Sequence, residues 1–450
     1  MKILFLRPSA PEETIGLQHL MIVEPLELEL LATLVEKEHE VIIIDLILEK
    51  QGAEYFIKKY MPDMVCITGY ITHTSDMLKI SQKAKEINSK IITVAGGVYI
   101  EKLPEKINSP FVDYRVVRNA LLEFPKLLNY IENRGEFPLG VLRIDEILDE
   151  TTLPEYNFSV PIPNRSLTKK YRDKYFYVFH PKVALLKTSF GCPFPCSFCF
   201  CRKITGDNYW ERPLEEVIEE LKGIEENEVY IIDDNFLVSK ERVMSFIDLL
   251  KKHSIKKRYL IYGRADFIAK HPKTIKRFKK YGLRTIIVGF ESFNDNELTS
   301  LNKKSMAKTN EYAMNVLNKY KVDCYASVIA MPEWSKEDFR KATKKMIDLK
   351  IRFLNIQPLT PLEKTDINFD DNNLIINRSD YARWDLAHIV VKPEKMSVKE
   401  FYREILKMYI RVLFQPSNLI HHIKYPIKYQ IKLLLGAIKV KKQYSRKINE

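Results

Sequence analysis

Val41-Ile42-Ile43-Ile44-Asp45 is an unbroken β-branched run that ends in a carboxylate, and runs of this kind return along most of the chain. A strand with one wet face alternates apolar and polar residues, whereas a strand covered on both faces does not. Unbroken runs separated by helical patterns therefore demand parallel sheets with helices on their faces. The expectation is an α/β protein. Over residues 1–135 the runs fall at 2–6, 41–45, 64–68, 91–95 and 112–117, with helices at 26–38 and 76–86. This reads as a doubly wound, flavodoxin- or Rossmann-like sheet.

A second series begins at residue 183. Strands are expected at 183–187, 229–233, 258–262, 285–290, 324–330 and 353–356, with helices at 213–222, 240–252, 272–281, 309–320 and 336–348. Strand–helix units in this order predict a partial (β/α)6 barrel over residues 181–361. Such barrels carry their chemistry at the C-terminal ends of the strands. Between the two series, residues 136–180 hold Pro138, Pro154, Pro161 and Pro163 and read as a linker. Its aromatic cluster (Tyr171, Tyr175, Phe176, Tyr177, Phe179) implies that it packs against something. Residues 362–450 lose the alternation and read as a helical, basic C-terminal region.

The net charge of +13 fits an anionic partner such as nucleic acid, a membrane surface or a phosphate-bearing cofactor. A lysine-rich genome explains it equally well. The apolar start breaks at Arg7-Pro8, so no signal peptide is expected, and no apolar run approaches the ~20 residues of a membrane span. A cytoplasmic, reducing compartment follows, and the six cysteines do not read as a disulfide framework.

Three of those cysteines stand just after the first strand of the second series, in Gly191-Cys192-Pro193-Phe194-Pro195-Cys196-Ser197-Phe198-Cys199. This spacing arises by chance in about one chain in a thousand of this cysteine content. Three thiolates can ligate three irons of a cuboidal [4Fe–4S] cluster and leave the fourth open to chelate the amino and carboxylate groups of S-adenosylmethionine (SAM). An electron from the cluster would then cleave the sulfonium. Phe198 stands where it can give adenine an apolar contact. The alternative is a structural zinc site with Cys201 as fourth ligand.

The motif, its position and the aromatic before the last cysteine resemble the radical SAM superfamily. The resemblance implies that Cys192, Cys196 and Cys199 are the catalytic cluster ligands, with an electron donor such as flavodoxin or ferredoxin. It also implies cofactor contacts from later strand ends: Asp233, Asp234 and Asn235, then Arg264, then Glu291. For Asp234 or Asn235, helix capping is the plain alternative. Many relatives carry a glycine near the end of the fifth strand, where this chain has Ala330-Met331-Pro332-Glu333.

A doubly wound domain ahead of such a barrel resembles the cobalamin-binding domain of one subgroup. The segments that carry this include Gly69-Tyr70-Ile71-Thr72-His73-Thr74 and Ala95-Gly96-Gly97-Val98-Tyr99. It implies corrinoid contacts from Gly69, Thr72, His73, Gly96 and Gly97, with no DxHxxG motif and hence no lower protein ligand to cobalt. Relatives often have His where Tyr99 stands. A nucleotide-binding or vestigial flavodoxin-like module remains the alternative.

The run 69–74, the stretch 257–264 and the tail Trp384-Asp385-Leu386-Ala387-His388 with Glu400-Phe401-Tyr402 resemble the hopanoid C-3 methyltransferase group. This implies methyl transfer to an unactivated carbon of a small-molecule or lipid substrate. Asp385 and His388 stand near the substrate or form a helix-surface pair. At the C-terminus, Lys424, Lys428 and Lys432 recur every four residues, with Ile427, Ile431, Leu434, Leu435 and Ile438 largely on another face. That is an interfacial membrane anchor or a helix packed on the barrel with solvated lysines. Competing functions are a radical enzyme that couples or rearranges carbon skeletons or inserts sulfur, and a non-catalytic basic binding protein. Cys66, Cys201 and Cys324 are too scattered for a second cluster, and no recognised motif supports nucleic-acid binding.

Overall fold

The structure is a computed structural model that describes the whole chain except residues 17, 18, 417, 419, 420, 422 and 450. The chain forms two compact units. The first comprises Met1–Thr14, Glu24–Lys174 and Ser379–Asp385; the second comprises Ile15–Val23, Tyr175–Arg378 and Leu386–Glu450.

The first unit runs β1 (Lys2–Arg7), α1 (Leu26–Val35), β2 (Glu40–Asp45), α2 (Ala53–Tyr60), β3 (Met64–Thr68), α3 (Thr74–Ile87), β4 (Ile92–Gly96), β5 (Tyr114–Val116), α4 (Ala120–Ile131) and β6 (Val141–Arg143). The strand order is β2-β1-β3-β4-β5-β6, parallel except for the β5–β6 pair. Ile3, Leu4, Phe5 and Leu6 are wholly buried, as a sheet covered on both faces requires. Residues expected in a linker fold with this unit. β6 closes the sheet edge, and the 310 turns of Arg165–Lys174 place Tyr171 so that its hydroxyl accepts a hydrogen bond from the Asp45 N–H at 3.2 Å.

The second unit is an open barrel of six parallel strands in sequential order. Its elements are β7 (Val183–Leu186), α5 (Leu214–Gly223), β8 (Glu228–Ile231), α6 (Lys240–Lys252), β9 (Arg258–Gly263), α7 (Pro272–Lys280), β10 (Leu283–Glu291), α8 (Ala307–Tyr320), β11 (Asp323–Ala330), α9 (Lys336–Asp348) and β12 (Phe353–Pro358). The aromatic cluster before β7 fills the N-terminal mouth. The Tyr177 ring lies 5.1 Å from Tyr230 and 5.7 Å from Tyr325, and Phe179 lies 5.6 Å from Phe353. His180 bridges Glu228 at 2.8 Å and Thr285 at 2.9 Å, near the starts of β8 and β10. One end of the barrel is thus sealed, and the other is left for the site.

The C-terminal region is helical as expected, after an irregular first stretch. Residues 362–397 are irregular apart from short 310 turns, and two long helices follow, α10 (Val398–Leu413) and α11 (Ile427–Asn449). Ser397 and Glu400 cap α10 reciprocally. The helix-surface reading of Asp385 and His388 fails, because that segment is not helical and His388 is buried. No helix among the described residues is long and apolar enough to cross a membrane.

Between α6 and the sheet, Phe246 is wholly buried, with Phe236, Tyr259 and Phe278 at 5.4, 5.7 and 5.9 Å. Phe246→Ala should lower the stability of this unit by about 3–5 kcal/mol, through lost transfer energy and the cavity left behind. Urea unfolding followed by circular dichroism checks this.

Candidate active site

The cysteine loop follows β7 directly and is pinned from several strand ends. Asp233, just past β8, is the central anchor. Its buried carboxylate accepts the Thr188 N–H at 2.6 Å, the Thr188 hydroxyl, and the Ser189 hydroxyl at 2.8 Å. Burial pushes its pKa up, and Lys187 and these donors pull the other way. Asp234 accepts the Gly191 N–H at 3.0 Å. Gly191 has φ +74°, and a Cβ there would collide with the Asn208 carbonyl, so the loop requires glycine. Further along, Ser197 N–H donates to Leu301 at 3.1 Å, Asn302 donates to the Pro195 carbonyl at 2.6 Å, and Asp366 N–H donates to the Ser197 carbonyl at 2.9 Å.

Cys196 is buried, while Cys192 and Cys199 are partly exposed. Among the described residues no three His, Cys, Asp or Glu side chains meet as ligands of a single metal ion would. The ligands of a cuboidal cluster each hold a different iron and stand further apart. Burial pushes the Cys192 thiol up to about 11 and also raises Cys196. Cys199 falls to about 7, chiefly because the Cys201 thiol hydrogen-bonds to it. Two cations face these thiols. Arg264, just past β9, sets Nη1 3.6 Å from Cys196 Sγ. Its guanidinium lies 3.8 Å from the Phe194 ring, pairs with Asp266 at 3.0 Å and donates to the Lys303 carbonyl at 2.8 Å. Lys303 pairs with Glu291 at 2.9 Å, both side chains being nearly buried. Burial alone would lower the Lys303 pKa, but Glu291 and Cys196 carry it above the ordinary lysine value.

Glu291 ends β10 beyond a register shift, at φ +60°. A Cβ on Gly289 would strike its carboxylate, which explains the glycine two residues earlier. Asn235 is buried. Its Oδ1 accepts the Leu237 N–H at 3.2 Å, while its Nδ2 has no partner among the described residues. Phe198 packs on the barrel core with Lys303 Nζ 5.7 Å from its ring centre. The structure therefore brings Cys192, Cys196, Cys199, Phe198, Asp233, Asp234, Arg264 and Glu291 to one end of the barrel. The sequence reading missed Lys303, Phe194 and the Thr188–Ser189 pair. Lys303 sits in a polar loop, Asn302-Lys303-Lys304, where nothing marks one lysine from the next. Three thiols in an irregular loop, facing the buried cations Arg264 and Lys303, suit a three-thiolate cluster with a chelated amino acid.

In the first unit, Gly69, Thr72 and His73 follow β3, and Gly96 and Gly97 stand at the end of β4. Gly97 has φ +112°, and a Cβ there would come within 2.8 Å of the Gly69 carbonyl, so the two loops touch through glycine. A Cβ on Gly96 would meet the Val116 side chain at an ordinary 3.8 Å. His73 Nδ1 accepts the Tyr70 N–H at 3.3 Å, and burial lowers its pKa, so the ring is neutral near pH 7. Tyr70 is 66% exposed beside it. Tyr99, in place of a histidine, is buried with its ring 6.4 Å from Tyr381, and Thr14 donates to the Ala382 carbonyl at 3.1 Å. Glycines at the strand ends and an exposed aromatic beside them suit the close approach of a flat, largely apolar ligand.

Residues 14–128 match the B12 binding domain, and residues 186–346 match the Radical SAM superfamily. The chain is a radical SAM enzyme with an N-terminal cobalamin-binding domain. Its class takes a [4Fe–4S] cluster, SAM and cobalamin. It is 26% identical to the hopanoid C-3 methylase of Methylococcus capsulatus over 393 residues, covering 85% of this chain and 75% of that one. The radical SAM methyltransferase TsrM of Kitasatospora setae, solved with cobalamin and a [4Fe–4S] cluster, superposes with TM-score 0.68 at 14% identity, covering 99% of both chains. The cobalamin-dependent radical enzyme OxsB, with SAM and aqua-cobalamin bound, superposes with TM-score 0.60 at 14% identity; 91% of this chain is covered, but only 56% of that one. The fold is thus that of the cobalamin-dependent radical SAM enzymes.

Asp233→Ala would leave three buried donors without an acceptor, a loss of about 3 kcal/mol. Urea unfolding should show that loss, and Cys192 should react faster with a thiol reagent as the loop loosens.

Proposed function

We propose that this protein methylates an unactivated carbon of a small-molecule acceptor, in the finer reading a lipid such as a hopanoid. The observation that carries the radical chemistry is the three-cysteine loop tied to the ends of β8 and β9, with Arg264 against Cys196. The lipid acceptor is supported by the resemblance to the hopanoid methylase alone.

In this reading Cys192, Cys196 and Cys199 hold the cluster, which when bound with SAM supplies a hydrogen-abstracting radical, while the corrinoid supplies the methyl group. Arg264 spends its donors on Asp266, Lys303 and Cys196, so its role is to position the loop. Glu291 and Asn235 are the groups free to orient the amino-acid end of SAM, through a carboxylate oxygen and the orphaned Nδ2. Phe198 offers an apolar face for the adenine. Asp234 holds Gly191, and Asp233 holds the strand preceding it. Gly69, Thr72, His73, Gly96 and Gly97 form the corrinoid cradle, with the neutral His73 ring as a hydrogen-bonding group at its rim. A low-potential donor such as flavodoxin or ferredoxin supplies the electron.

Anaerobic reconstitution with iron, sulfide and cobalamin should give about four irons and one corrinoid per chain. Two irons or fewer, or no corrinoid, would overturn the reading. With trideuteromethyl-SAM and a hopanoid acceptor, 5′-deoxyadenosine should form and the label should reach the acceptor; label on another lipid class would reassign the substrate alone. Cys196→Ala should abolish 5′-deoxyadenosine. Gly97→Val should reduce corrinoid binding, read by absorption, without changing the iron count.

A further inference from the structure

α11 sits on the barrel with its apolar side outward. Ile427, Ile431, Leu434, Leu435 and Ile438 recur at helical spacing and are 68, 51, 50, 56 and 41% exposed. Ile423, just before the helix, is 72% exposed. The residues turned inward are Gly436 and Tyr444, with Val440 and Ile448 partly buried against the barrel core. Gly436 is where the helix touches the body, because a Cβ there would come within 2.6 Å of the His19 carbonyl.

The lysines do not form the solvated stripe that their four-residue spacing suggests. Lys424 pairs with Asp323 at 3.0 Å, and Lys432 Nζ lies 3.1 Å from the centre of the Phe176 ring, so both turn toward the barrel. Lys428, Lys439, Lys441 and Lys442 are exposed and flank the apolar strip. From Ile427 to Asn449 the helix carries no acidic residue.

We propose that this face of α11 docks the protein on an anionic lipid bilayer, lying in the interface without crossing it. A helix that exposes a row of large aliphatic side chains between lysines sinks the row into the acyl boundary and sets the ammonium groups at headgroup level. Each lysine near an anionic leaflet adds attraction that falls away within a Debye length. A second copy of the chain is a poor occupant, because pairing this face with itself would set unneutralised lysines against lysines. The dense positive charge also excludes a spanning role.

Flotation of the full chain with vesicles tests this independently of methyl transfer, since it is read without cofactor or substrate. Phosphatidylcholine vesicles carrying about one quarter phosphatidylglycerol should carry the protein upward, and raised salt should weaken this. Pure phosphatidylcholine should retain it about tenfold less well. Ile431→Glu with Leu435→Glu should cut binding about tenfold, and Lys439→Glu with Lys442→Glu should do the same through charge alone. Both pairs are exposed, so circular dichroism should stay unchanged. Absence of flotation, or equal flotation of wild type and both variants, overturns the proposal. So does a wild-type dimer in light scattering that Ile431→Glu with Leu435→Glu converts to monomer.

Discussion

The carboxylate of Asp233 is the joint on which the barrel's working end depends. A buried carboxylate without donors is costly, and here the donors come from the segment that leads into the cysteine loop. The strand end and the loop therefore stabilise each other: neither polar set is satisfied without the other. With Asp234 on Gly191 as the next tie, the first cysteine starts from a defined place despite lying in irregular backbone.

Thiolates crowded in one loop repel each other, and burial adds to the cost of charging them. The structure answers with Arg264 and Lys303, each itself neutralised by a carboxylate, Asp266 and Glu291. Such a network holds positive potential at the sulfurs without stranding a bare cation in the interior. The same arrangement explains why Gly289 stands before Glu291, since the carboxylate folds back over that position to reach the lysine.

Much of this was legible in the residues. Strand runs such as 64–68, and helices such as 240–252 and 336–348, carry their period openly, and the structure reproduces those bounds. The antiparallel edge strand β6 and the irregular stretch 362–397 were not legible. A three-residue strand has no period, and an irregular chain between helices has no signature beyond composition. Lys303 escaped for a related reason. Its importance lies in what it faces, Glu291 and Cys196, which are 12 and 107 positions away and adjacent only in the fold.

The C-terminal helix draws the line most clearly. The sequence by itself indicated a basic amphipathic helix over residues 424–447, because the period of its aliphatic residues is local information, and the structure gives it the bounds Ile427–Asn449. The unbroken strand runs likewise determined two largely parallel sheets, for the same reason. Only the tertiary structure decided which face of that helix meets the barrel. Gly436 permits close approach to the His19 backbone, Lys424 finds Asp323, and Lys432 finds Phe176. These partners lie far along the chain, so no local pattern encodes that the lysines turn inward and the isoleucines and leucines are left facing out.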